Sequence, residues 1–103
     1  MEGQRYITIY VDKALLEFLD AYNCHYLLLK AVEHGLTFDD KVSGKFYYDD
    51  FEPVNVLVNE KLAKVWEEAS QGVKDFILFV INVTLLSLIR EYAISLRLKG
   101  GEA

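Results

Sequence analysis

Cys24 and His25 are adjacent, and a thiol beside an imidazole is the material of nucleophilic catalysis. Neighbouring residues in a helix, however, point about 100° apart and do not face each other, so this pair does not read as a dyad. A second cluster is acidic: Asp39-Asp40, Asp49-Asp50 and Glu52. Were the intervening segment a hairpin, these pairs would approach and hold a divalent cation through oxygen; a solvated loop end is the commoner fate of such a run. His34 beside Glu33 suits a helix end. Two His and one Cys without ligand spacing do not make a zinc site. No Gly-rich phosphate loop, nucleophile elbow or pair of catalytic acids is present in the sequence. The expectation is a non-enzyme with no catalytic residue, no metal and no cofactor.

Composition bounds what remains. A chain of 103 residues, 52% hydrophobic and 26% charged, is expected to form one domain with one modest core. The single cysteine forms no internal disulfide, and Glu2 and Arg5 come too early for a cleavable signal, so the reading is cytoplasmic. The net charge of −5 repels polyanions at long range. The longest apolar run, Phe76 to Ile89, is shorter than the roughly 20 residues that a bilayer requires and reads as a buried helix, with no membrane partner.

The elements that must position any site come in a pattern written twice. Ile7, Ile9 and Val11 alternate with Tyr6, Thr8 and Tyr10, the period of a half-buried strand. Asp12 suits an N-cap, and Leu15, Phe18, Leu19 and Tyr22 then share one helical face. In the second copy Val54, Val56 and Val58 alternate with Asn55 and Leu57. Asn59 takes the cap position, and Leu62, Val65, Trp66 and Ala69 form the face, each 47 residues after its counterpart. Cys24 to Leu36 reads as a second helix or a continuation of the first, closed by Gly35 as a C-terminal cap. A long helix is expected from about Asp75 to Leu98, ended by Gly100-Gly101. Between the copies, 37–53 is either a hairpin turning at Ser43-Gly44 or an irregular connector.

Strand, helix, turn and helix within about 45 residues resembles the ribbon-helix-helix superfamily of DNA-binding proteins. The resemblance rests on pattern and covers Arg5 to Leu36 and Glu52 to Leu98. It implies an α+β fold in which two strand-helix-helix units, 5–36 and 54–98, pair their strands as a two-stranded antiparallel ribbon over a helical core. One chain would then supply the pseudo-dimer that the fold needs. It further implies a small transcriptional regulator that reads double-stranded DNA in the major groove with the ribbon's outward side chains. Carried onto this sequence, the contact set is Arg5, Thr8, Tyr10, Lys13 and Asn55. Thr8 and Asn55 would face base edges, with Arg5 and Lys13 on phosphate. Backbone amides near Gly72, Val73 and Lys74 stand where the family anchors a phosphate.

Two rival readings remain open. Phe46, Tyr47, Tyr48 and Phe51, set among acids, suit contact with a partner protein. On that reading the chain is an acidic protein-binding module, such as an antitoxin-like protein, an inhibitor or an oligomeric adaptor. Alternatively the strands belong to an unrelated α+β fold with a small mixed or antiparallel sheet that includes Lys45–Tyr48. On the ribbon-helix-helix reading the chain is either a single-chain pseudo-dimer or a further dimer through the Phe76–Ile89 helix, and a homodimer is expected.

Overall fold

β-branched residues at every second position, with polar or aromatic residues between, favour an extended chain with one greasy face. Two segments obey this rule: β1 (Gln4–Asp12) and β2 (Phe51–Asn59), which pair antiparallel with Thr8 opposite Asn55 and Ile7 opposite Val56. The computed structural model describes residues 3–47 and 49–100. Within them the chain is an α+β protein with the order β1, α1 (Lys13–Tyr22), α2 (Tyr26–Thr37), β2, α3 (Glu60–Glu68) and α4 (Gln71–Gly100). The two strands form one sheet. β2 begins at Phe51, ahead of the Val54 at which the alternation becomes legible, so the second strand starts earlier than 54.

Each strand hands over to a helix through a side-chain cap. Asp12 Oδ1 accepts from Ala14 N at 2.8 Å and Leu15 N at 3.4 Å, and Asn59 Oδ1 accepts from Leu62 N at 2.8 Å. Such caps satisfy amides that the first helical turn leaves unpaired, at about 1 kcal/mol each. The ladder also runs one rung past each strand end: Lys13 N donates to Asp50 O, and Glu60 N to Gly3 O, both at 3.0 Å.

The segment from Cys24 to Leu36 holds a separate helix, α2, rather than a continuation of α1, because Asn23 turns the chain in the left-handed region (φ 50°) and its N–H closes back on Leu19 O. Gly35 is not the cap expected of it. It lies buried inside α2, which runs on to Thr37. A Cβ at Gly35 would stand 2.6 Å from Ile81 Cγ1 and 3.3 Å from Ile77 O on α4, so the missing side chain is what lets the two helices approach. Gly35→Ala is expected to cost about 1–3 kcal/mol through overpacking. Adding Ile81→Ala should recover part of that loss in a urea-unfolding double-mutant cycle.

The core lies on one side of the ribbon. Ile7, Ile9, Val11, Val56 and Val58 face a helical layer that contributes Leu19, Val32, Leu36, Trp66, Ile77, Ile81 and Leu85. α4 begins at Gln71, four residues before the expected Asp75, because Ser70 serves its first turn: Ser70 Oγ accepts from Val73 N and Ser70 O from Lys74 N. By length and composition the Gln71–Leu98 stretch could cross a bilayer, and 44% of its most apolar window is buried within the protein. No strand forms in 38–47, so the hairpin alternative and the Lys45–Tyr48 strand give way to a connector that runs over α4. Its backbone polar groups bond to that helix, Gly44 N to Gly72 O and Phe46 N to Asp75 Oδ2. Those bonds satisfy what a second hairpin would have satisfied.

Candidate nucleic-acid interface

In an antiparallel pair, directly opposed residues share a face. Even positions of β1 and odd positions of β2 therefore look away from the helices: Tyr6 opposite Leu57, Thr8 opposite Asn55, Tyr10 opposite Pro53. This outer face is uncovered at its centre and at one end, with Tyr6 69% and Leu57 39% exposed, and Thr8 and Asn55 both open to solvent. Thr8 Oγ1 donates to Asn55 Oδ1 at 2.7 Å, which orients the amide and leaves its hydrogens to give. Tyr10 is half-buried.

Pro53 lacks an N–H, and opposite Tyr10 none is required. Tyr10 O and Asp12 N are taken from the other side, by Asn82 of α4: Asn82 Nδ2 donates to Tyr10 O, and Asp12 N donates to Asn82 Oδ1, each at 3.0 Å. The carboxamide thus stands in for a neighbouring strand along the free edge of β1, while Nδ2 also donates to Leu78 O at 2.9 Å. Asn82 was not among the residues singled out from the sequence. Its signal was present: an amide inside an otherwise apolar run has to be satisfied somewhere.

The start of α4 flanks the ribbon. A hollow of about 200 Å³ lies between Thr8 and Tyr10 on one side and Trp66, Gln71 and Lys74 on the other. Lys74 Nζ sits 5.5 Å over the Trp66 ring, which holds a cation beside the outer face. The amides at this helix start are partly engaged, since Val73 N and Lys74 N turn to Ser70 and Gly72 packs against Ser43. Asp75 is buried and accepts from Phe46 N and from Gln71 Nε2.

The contact set expected from sequence divides. Thr8 and Asn55 meet at the centre of the outer face, with Tyr10 beside them. Arg5 stands on the opposite face, in register with Val58, and its guanidinium meets Glu67 at 2.9 Å; its Nε is buried without a partner. An exposed pair of this kind contributes at most about 1 kcal/mol, so Glu67 orients Arg5 more than it stabilises the fold. Lys13 opens α1 with its side chain in solvent.

Of the expected protein-contact residues, Phe46 and Phe51 are half-buried and pack edge to face, centroids 4.7 Å apart. Tyr47 is exposed, and Tyr48 lies outside the described residues. Cys24 and His25 part company: Cys24 is buried, which raises its thiol pKa, whereas His25 lies at the surface 2.7 Å from Asp20. Among the described residues, no three His, Cys, Asp or Glu side chains gather where a metal ion could be held. Comparison of the chain with family models, with curated proteins and with solved structures gives no match.

Proposed function

We propose that this chain is a single-chain ribbon-helix-helix protein, an intracellular regulator that lays its ribbon in the major groove of double-stranded DNA. The observation that carries the reading is the uncovered outer face, with Thr8 and Asn55 bonded at its centre. The tandem form is supported by the register. Thr8 and Asn55 are both repeat counterparts, 47 apart, and cross-strand partners, so a two-fold relation would pass through that pair. The rungs Lys13–Asp50 and Glu60–Gly3 exchange into each other under the same shift of 47. In the second helices the buried positions correspond at a shift of 50 instead: Leu27, Leu28, Ala31 and Val32 with Ile77, Leu78, Ile81 and Asn82. α4 accordingly starts about one turn earlier than α2.

A two-stranded ribbon fits a groove about 12 Å wide. Asn55 and Thr8 would bond base edges, Tyr6 and Leu57 would touch thymine methyls, and Lys13 and Lys74 would neutralise phosphate. Titration of the intact chain against DNA flanking its own gene, at about 50 mM salt where phosphate contacts are strongest, tests this. Asn55→Ala is expected to weaken binding to the preferred site at least roughly tenfold. Lys74→Ala should weaken all sequences alike and reduce the salt slope by about 1. Absence of binding by the folded chain overturns the proposal.

A second reading, an acidic protein-binding module, is favoured by one observation. The outer face carries no cationic side chain of its own, the net charge is −5, and Arg5 is held by Glu67. On that reading Tyr6, Leu57 and Tyr47 form the contact. Tyr6→Ala with Tyr47→Ala would then abolish partner recovery in a pull-down, while DNA binding would be absent from the start.

A further inference from the structure

One side of α4 is covered by neither the ribbon nor the other helices. Phe79, Val83, Leu86 and Ile94 are each between 46% and 58% exposed, and by helix geometry they lie within about 80° of one another around α4, with Arg90 among them; Leu98, 67% exposed, is turned further round the helix. A helix this apolar on its outer side is stable in water when something covers it. At the N-terminal end this face opens into an apolar groove of about 430 Å³, walled by Leu15, Phe46, Phe51, Phe79, Val83 and Leu86. Asp12 closes that groove, and the exposed Asp50 directly precedes Phe51 of its wall. The C-terminal end has the opposite character. Arg90, Ala93, Ile94 and Arg97 surround a smaller hollow of about 300 Å³. The last aromatic contact of α4 with the body of the protein is Tyr92, on Phe18 and Tyr22; Ile94 and Leu98 continue beyond it in solvent.

From these features we infer that the face is a docking surface for a second copy of this chain, with the two α4 helices antiparallel. The occupant is identified by charge and by symmetry: one end of the stripe is an apolar groove rimmed by acids, the other an apolar ridge carrying two arginines. A two-fold axis near residue 88 sets each ridge in the other copy's groove. Ile94 of one copy then lies on Val83 of the other, with Arg97 at the Asp12 and Asp50 rim. Val83 and Ile94 are 11 residues, or about 16 Å of helix, apart and on one face, so both contacts form at once. The interface is isologous and closes as a dimer. None of Tyr6, Thr8, Asn55 and Leu57 lines either hollow, so this pairing stands or falls independently of the ribbon's role.

Sedimentation equilibrium of the intact chain is expected to give twice the 11.9 kDa chain mass. Val83→Glu and Ile94→Glu change exposed residues, so both variants should keep the wild-type circular dichroism, and each should weaken association at least roughly tenfold. Reversal of Arg97 to Asp should weaken it too, and Asp50→Arg placed on the same chain should restore part of the loss. Direction is read by cross-linking: a mixture of Val83→Cys and Ile94→Cys chains should join across the two variants, whereas neither should join to itself. A monomer at about 100 µM overturns the proposal, as does a dimer indifferent to both Glu variants. Cross-linking of each variant to itself overturns the antiparallel arrangement. Flotation of a monomer with neutral phosphatidylcholine vesicles, abolished by Val83→Glu, would make a bilayer the occupant and overturns it equally.

Discussion

Asn82→Ala is expected to lower the free energy of unfolding by about 2–4 kcal/mol, a large fraction of what a domain of this size has. The side chain is 8% exposed and stands where β1 has no third strand beside it. Its two amide groups meet Tyr10 O and Asp12 N, the same donor and acceptor pair that a neighbouring strand would meet. Truncation strands both backbone groups in a partly buried place, and each orphan costs about 1–3 kcal/mol. It also loosens the hand-over at Asp12, whose side chain caps α1. Asn82→Leu keeps the volume but none of the bonds, and should be as damaging as Ala. Urea unfolding followed by circular dichroism gives the free energy, and Tm should fall by roughly 10 °C or more. A leucine variant as stable as the parent would mean that water serves Tyr10 and Asp12 equally well, and that α4 is held to the ribbon by apolar packing alone.

Features set by neighbours in sequence were legible, and features set by distant chain were not. The alternation of Ile7, Ile9 and Val11 with its outward partners, and the caps at Asp12 and Asn59, depend on five or six consecutive residues. The outer face was likewise readable, because period two assigns Thr8 and Asn55 to one side once the strands pair. Gly35 was misread since glycine suits both a helix end and a close helix crossing, and only Ile81, 46 residues away, decides between them. Pro53 sits inside β2 because a missing N–H does no harm where the opposed Tyr10 points its carbonyl at Asn82, a contact 72 residues away in sequence. Arg5 was placed by charge rather than by parity. Its odd position puts it with Ile7 on the helical side, where Glu67 meets it.

Ile9→Ala and Thr8→Ala are adjacent changes in one strand with opposite expected outcomes. Ile9 is fully buried in the centre of the ribbon's inner face, opposite Val54. Its truncation removes buried methyl groups and leaves a cavity among Ile and Leu side chains, at about 2–4 kcal/mol. A two-stranded ribbon has little stability of its own, so what holds it open as a flat surface is the packing of residues like Ile9 on the helices. Thr8 loses one exposed hydrogen bond to Asn55, and stability should change by no more than about 0.5 kcal/mol. Affinity for DNA, in contrast, should fall in Thr8→Ala while folding is intact, because the Asn55 amide loses the bond that aims it. In Ile9→Ala, binding should follow the folded fraction and recover at lower temperature or denaturant. Measuring unfolding and DNA titration on both variants therefore separates surface from scaffold within a single strand. Should Thr8→Ala prove as destabilising as Ile9→Ala, the outer face is part of the structural core of the ribbon rather than a surface kept clear for a partner.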